Sequence, residues 1–291
     1  MAHSDRGLPP GIVARPLHKR DLDAALALSQ EAGWNQVAAD WKIFFELGSA
    51  ICLTRDDRPI ATAATLPYSG NFAWISMVLV STAERRQGLA RWLLRHSVDH
   101  LLSRKLVPAL DATPAGRTVY VGLGFQDSWT MQRLVARTVR APTVEQNAET
   151  VRKLETGDWP QVIASDTAIF GADRSSLLHR LADRLPQAAL VAERAGRVAG
   201  FLLGRDGRVM NQLGPLAADD DGIARALLAR AIAEVPAPLT IDVPDRHCAL
   251  GSWLATLGFI AERPYIRMIY GTSLAFDDNA RLFAIAGPEL G

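Results

Sequence analysis

The stretch WISMVLVSTAERRQGLARWLLRHSVDHLLS, residues 74–103, decides how the rest of the chain is read. Residues 74–80 are apolar and rich in β-branched side chains, the composition of a buried strand. Residues 81–86 are polar and break that run. From Gly88 the apolar positions change period: Leu89, Leu93, Val98, Leu101 and Leu102, with Ser97 among them, share one helical face. Gly88 and Ala90 stand where the helix begins and carry no bulk to shield the backbone. The first N–H groups of a helix lack intrahelical partners and form the positive end of its dipole. Arg85 and Arg86 add full positive charge beside them. The turn is therefore expected to bind an anion, such as a phosphate or pyrophosphate.

The hexamer Arg85-Arg86-Gln87-Gly88-Leu89-Ala90 fits the pattern [RQ]-x-x-G-x-[GA], with the strand before and the helix after that such a motif needs. Downstream, Asp111-Ala112-Thr113-Pro114-Ala115-Gly116, then Tyr120, then Leu123-Gly124-Phe125, read as a strand, a helix and a closing Gly-Phe. In both features residues 12–137 resemble the GNAT acyltransferase superfamily, where the hexamer follows the fourth strand. The resemblance implies acetyl-CoA as cofactor, held by Arg85, Arg86, Gln87, Gly88, Leu89, Ala90 and Arg91, with Thr113 beside them. It implies that a backbone N–H among Val78, Leu79 and Val80 polarises the thioester carbonyl and that the pantetheine arm pairs with that strand edge. It also implies that Tyr120 is the acid for the leaving thiolate; a phenol near pKa 10 is protonated at neutral pH.

In chain order, strands are expected over residues 12–17, 50–55, 59–67, 74–80, 107–112 and 127–136. Helices are expected over 21–32, capped by Asp21 and ended by Gly33, over 38–47, and from Gly88 to about 103. Residues 138–150 lose periodicity and read as a linker. The pattern then restarts with strands over 151–154, 188–194, 197–204, 209–216, 239–243 and 265–270. Its helices fall over 158–170, 174–185 and 222–234, with another ending at Leu257.

Gly88 and Gly124 stand 36 positions apart, as do Gly222 and Gly258; Gly222-Ile223-Ala224 repeats Gly88-Leu89-Ala90, and Leu257-Gly258-Phe259 repeats Leu123-Gly124-Phe125. A fixed offset with the same element order argues for internal duplication. The expected fold class is α/β with mixed sheets: tandem GNAT-like domains at 1–137 and 151–291, each a mostly antiparallel sheet flanked by helices. The second copy has Asp219-Asp220-Asp221 for Arg85-Arg86-Gln87 and Leu254 for Tyr120. A carboxylate about 4 Å from a phosphate oxygen costs on the order of 4 kcal/mol at an effective dielectric near 20. The second copy is therefore expected to keep the fold without the acyl-CoA site.

The expected reaction is acetyl transfer to the amine of a small molecule by direct attack in a ternary complex; the alternative is a module that senses acyl-CoA without turning it over. Trp34, Asn35 and Trp41 lie in the segment between the first two helices, which in this family borders the acceptor pocket, and are the acceptor-site candidates, although plain core aromatics are the commoner reading of Trp34 and Trp41. Asp173, in the turn 170–174, is the candidate contribution of the second half. Glu46, Asp40 and Glu84 are candidate bases, with no choice among them. A Rossmann reading fails for want of a Gly-rich turn after the first strand. The chain of 291 residues has a net charge of +1, which gives no support for a nucleic-acid or membrane-surface partner. His96 and His100 lack a third metal ligand, and Cys52 and Cys248 make no disulfide framework. No signal core or membrane-length apolar run is present, so a cytoplasmic monomer or homodimer is expected.

Overall fold

The computed structural model of the chain describes residues 7–142 and 150–291. The first half runs β1 (Val13–Pro16), α1 (Leu22–Glu31), α2 (Ala38–Leu47), β2 (Ser49–Arg55), β3 (Arg58–Pro67), β4 (Phe72–Val80), α3 (Leu89–Ser103), β5 (Val107–Ala112), α4 (Pro114–Val121) and β6 (Phe125–Ala136). The second runs β7 (Thr150–Lys153), α5 (Trp159–Phe170), α6 (Ser175–Arg184), β8 (Leu190–Arg194), β9 (Arg197–Arg205), β10 (Asn211–Ala218), α7 (Asp221–Glu234), β11 (Leu239–Pro244), α8 (Cys248–Thr256), β12 (Ile260–Tyr270) and β13 (Leu282–Ala284). Most of the linker expected at 138–150 lies outside the described residues. No described helix is long and apolar enough to cross a membrane.

One sheet runs through both halves in the order β1-β2-β3-β4-β5-β12-β6-β11-β10-β9-β8-β7. Among the described strands only β4–β5 and β10–β11 pair parallel. The last long strands are exchanged. β12, from the second half, pairs with β5 of the first, and β6, from the first, pairs with β11 of the second. β6 and β12 then pair antiparallel between them. The halves expected at 1–137 and 151–291 therefore share their sheet. The exchange is fixed by buried side chains: Met268 of β12 packs in a cluster with Leu110 and Phe125 of the first half. Arg267, wholly buried, forms a bidentate pair with Asp111 of β5 at 2.9 Å.

A second sign of duplication lies in the side chains. Arg15 at the end of β1 grips Asp21, whose carboxylate accepts the His18 N–H at 2.9 Å. Arg152 at the end of β7 grips Asp158, whose carboxylate accepts the Glu155 N–H at 2.8 Å. In each copy the aspartate thus closes the turn before the helix. Asp21 does this in place of the side-chain cap expected for α1.

No element is expected after β12, yet the segment holds β13, and from Leu282 onward it runs inside the second half after a partly exposed stretch over 271–281. Leu282, Ile285, Ala286 and Leu290 are buried. Its carbonyls take the Trp74 indole N–H at Pro288, the Tyr68 hydroxyl at Leu290 and the Arg174 guanidinium at Gly291.

Candidate functional site

β4 and β5 pair only from Phe72–Val107 to Trp74–Ala109, and then separate. Beyond Trp74 the edge of β4 facing β5 has no strand partner among the described residues. A bulge between Thr62 and Ala64, opposite a positive φ at Met77, turns β4 at that point. Val78, Leu79 and Val80 then line a groove of about 670 Å³, together with Arg85, Arg86, Gly88, Leu89, Ala90, Arg91 and Trp34. Gly88 is the N-cap of α3, at φ +79°, with no side chain bonded to the helix start and open space where a Cβ would stand. The helix begins with bare N–H groups and a conformation that glycine adopts at least cost. Gln87 turns aside and donates to Glu84 at 2.8 Å.

A second cavity, of about 310 Å³, adjoins the groove, and Trp34 and Val78 line both. Tyr120 of α4 faces it, as do Ser76, Asp111, Thr113 and Gln36. The Tyr120 ring folds back over Gly116, where a Cβ would stand 2.9 Å from the ring. Burial pushes the Tyr120 phenol above its ordinary pKa, so it keeps its proton at neutral pH. Thr113 caps α4 by accepting the Gly116 N–H at 3.2 Å, which ties it to the cavity rather than the groove.

The second half supplies much of this cavity: Val209 and Met210 before β10, Thr240 of β11, Tyr265 of β12, and Pro288 and Glu289 of the final segment. Asn35 lines it, but its side chain is spent on the 208–210 loop. Its Oδ1 accepts the Val209 and Met210 N–H groups at 2.8 and 3.0 Å, and its Nδ2 donates to the Met210 carbonyl at 2.9 Å. Asn35 thus positions the second half against the first.

Other residues expected at the site lie elsewhere. Trp41 is wholly buried in the core, its indole N–H donated to Ser29 and its ring near Phe44 and Phe45, because this face of α2 packs on the sheet. Asp173 stands two residues before α6, where its carboxylate accepts the Ser175 N–H at 2.7 Å and its own N–H bonds the Ser69 hydroxyl at 2.9 Å. The 170–174 turn is absent from the cavity lining. Among the candidate bases, Glu46 pairs with Arg180 at the surface, Glu84 with Arg55, and Asp40 with Arg184 and Arg205. None of the three lines the cavity. Burial would raise the Asp40 carboxyl, but Arg205 and Arg184 outweigh it and hold it below the usual carboxylate range.

The acidic residues that do line the cavity are Asp111, Glu262 and Glu289. Asp111 is held by Arg267, which also pairs with Asp277 and lies between the Trp74 and Trp129 rings at 4.5 and 4.2 Å. Glu289 was missed because it stands in an aperiodic segment. The one available signal was the apolar composition of LFAIAGPELG, residues 282–291.

The matching region of the second copy is closed twice over. Asp220 caps α7 by accepting the Ile223 N–H at 3.0 Å, and Asp219, Asp220 and Asp221 pair with Arg197, Arg194 and Arg225. β10 and β11 pair over only three residues before they part, as β4 and β5 do. There β13 lies against β10, and the Ile285 N–H reaches the Asp242 carbonyl of β11 at 3.2 Å. The chain's own segment spans the opening that remains empty in the first copy.

Comparison with known proteins agrees with this geometry. Residues 20–125 match the acetyltransferase (GNAT) family, and residues 162–284 match an acetyltransferase (GNAT) domain. The chain is 24% identical over 276 residues to an uncharacterised N-acetyltransferase, YitH, of Bacillus subtilis, covering 94% of this chain and 97% of that one. It is 27% identical over 241 residues to the holothin acyltransferase of a Pseudoalteromonas species, covering 81% and 79%. An acetyltransferase candidate of known structure from Pyrococcus horikoshii shares the fold with a TM-score of 0.80 at 19% identity, covering 99% of each chain. A splayed strand pair leading into a helix is present in both halves, the helix started by glycine in the first and capped by Asp220 in the second, and the family matches both; the chain belongs to the GNAT superfamily, an acyltransferase with two GNAT domains in tandem.

Proposed function

We propose that the protein transfers an acetyl group from acetyl-CoA to the amine of a small molecule, by direct attack in a ternary complex within the first copy. The observation that carries this is the meeting of groove and cavity at Trp34 and Val78, beside the free edge of β4. A pantetheine arm along that edge would bring its thioester to the boundary, with the pyrophosphate at the N–H groups that open α3 and Arg85 and Arg86 alongside. A β4 N–H among Val78 to Val80 would stabilise the oxyanion. The amine nitrogen bonds to the thioester carbon, the carbon–sulfur bond breaks, and Tyr120 protonates the thiolate. The ammonium's first proton goes to solvent; the second, lost after attack, restores the Tyr120 hydroxyl.

The domain assignment follows: one acyl-CoA site per chain, in the copy ending near residue 137, and none in the copy from residue 151. Calorimetric titration with CoA tests this. One site per chain is expected, lost in Gly88→Glu, where a carboxylate joins a strained φ of +79°. Two sites, or an unchanged site in that variant, would refute it.

A further inference from the structure

The acceptor cavity contains polar atoms that the protein leaves without partners. Gln36, 7% exposed, donates its amide N–H to Glu289 Oε1 at 2.7 Å, and its own Oε1 has no hydrogen-bond partner. Ser76 Oγ, in a residue 8% exposed, has none either. Glu289, 5% exposed, spends Oε1 on Gln36 and Arg205; its Oε2 accepts no hydrogen bond from the described residues and, unlike the other two atoms, is not fully buried. Buried polar atoms without partners are rare in folded proteins and costly to keep. All three residues line one cavity, and two of the three atoms can only accept.

The charges lean the same way. Glu289 ends a line of five groups, Asp206–Arg184–Asp40–Arg205–Glu289. Three carboxylates share two guanidiniums, so one negative charge is left without a cation. The other cavity charges do not repay it: Arg133 is matched by Asp242, Arg263 by Glu262, and Arg267 is shared by Asp111 and Asp277. Beside these charges and the hydroxyls of Thr113, Tyr120 and Thr240, the walls include apolar faces of Ile75, Leu110, Met210, Tyr265 and Trp34.

Resting on the reading of this cavity as the acceptor site, we infer that Glu289 and Gln36 receive the ammonium group of a cationic amine with an apolar, ring-sized body. Glu289 is then a specificity-determining residue, delivered by the segment that fills the thioester opening of the second copy. β13 pins the start of that segment to β10, and Gly287 turns it at φ +136°. A Cβ there would stand 2.8 Å from the Arg205 guanidinium and 3.0 Å from Glu289 Oε2, so glycine keeps this corner clear. The second copy's empty chemistry thus becomes the anchor for a recognition group in the first.

The test uses two probes with the same body, 2-phenylethylamine, which is protonated at pH 7, and neutral 2-phenylethanol. Binding to the full chain without CoA is read by calorimetry or ligand-observed NMR. The cation is expected to bind at least about tenfold more tightly than the alcohol, the scale of one charge-assisted hydrogen bond. In Glu289→Gln that preference should fall below about threefold while alcohol binding stays unchanged. A role limited to pairing Arg205 would lower stability and leave the preference intact. If Glu289→Gln does not fold, Glu289→Asp keeps the charge for Arg205 but shortens its reach, and the same loss of preference is expected. Equal binding of the two probes, a preference that survives the variants, or no binding of either at about 10 mM overturns the inference. CoA binding, measured separately, reports on the underlying acyl-transfer reading. If CoA fails to bind while the amine preference holds, it is that reading that falls.

Discussion

Replacing Tyr120 by Phe isolates one hydroxyl. The ring stays over Gly116 and beside Phe125, 6.2 Å between centroids. The hydroxyl accepts and donates no hydrogen bond within the described protein, so its loss strands no buried partner and stability should change by less than about 0.5 kcal/mol. Acetyl-CoA binding, assigned to α3 and β4 on the proposed reading, should be kept. The thiolate would then have to leave unprotonated or take its proton from water. Loss of a positioned acid costs about 10²–10⁴-fold, or about 2.7–5.4 kcal/mol in the barrier at 1.36 kcal/mol per decade. The assay is free-thiol release at saturating acetyl-CoA and amine, with CoA affinity and melting temperature measured in parallel. Because burial raises the phenol's pKa, any alkaline loss of activity due to Tyr120 in the wild type should fall above the ordinary phenol value of about 10. A Phe variant that turns over at the wild-type rate, with CoA affinity and stability intact, would show that Tyr120 is a packing residue and that the acid lies elsewhere.

Arg267→Met removes the cation shared by two fully buried carboxylates, Asp111 and Asp277, and should cost about 3–5 kcal/mol in urea unfolding; a loss under 1 kcal/mol would mean that the pair does not hold the exchanged strands. The Arg15 guanidinium holds the Asp21 carboxyl below its ordinary pKa, so this contribution is present above the unfolded-state value near 4 and is lost as pH falls through the folded one. Asp21→Asn should therefore cost about 1–3 kcal/mol at pH 7, with the gap to wild type narrowing as pH drops below about 4; a gap that does not depend on pH would contradict the assignment. A chain cut after residue 138 loses β12 from the flank of β5 and should be insoluble or molten by near-UV circular dichroism, whereas a well-folded fragment would show that the exchange is dispensable.

The groove beside β4 and α3 could be read from the sequence because it is local. A strand, a polar turn and a helix that starts on glycine lie within thirty consecutive residues, and each part announces itself through period, charge or lack of a side chain. The acceptor side could not be read in the same way. Trp34 and Trp41 are equally aromatic, and only the packing of α2 on the sheet sends one to the cavity rim and the other into the core. The exchange of β6 and β12 is also hidden. Both strands carry similar apolar patterns, and a strand's sequence specifies which face it buries more strongly than which neighbour it pairs with. The final segment has no periodicity because its backbone groups are divided among Trp74, Tyr68, Arg174, the Asp242 carbonyl and a tight turn on Gly287.

Why a copy without a pyrophosphate turn or a tyrosine is kept can be answered from the seam between the halves. Arg205 of β9 reaches Asp40 of α2, and Arg133 of β6 forms a bidentate pair with Asp242 of β11 at 2.8 and 2.7 Å. Gln212 of β10 joins these pairs, donating to Asp242 and accepting from Arg205. Such pairs add little stability over apolar packing, because desolvation offsets most of their attraction, but breaking one strands a buried charge. Their effect here is geometric. A shift of one half against the other would separate several pairs at once, so the sheet has one register and the cavity one shape. A cavity that takes walls from two halves, serving acceptor binding on the proposed reading, needs that constraint more than a second groove. The filling of the opening between β10 and β11 by β13 fits that exchange of roles.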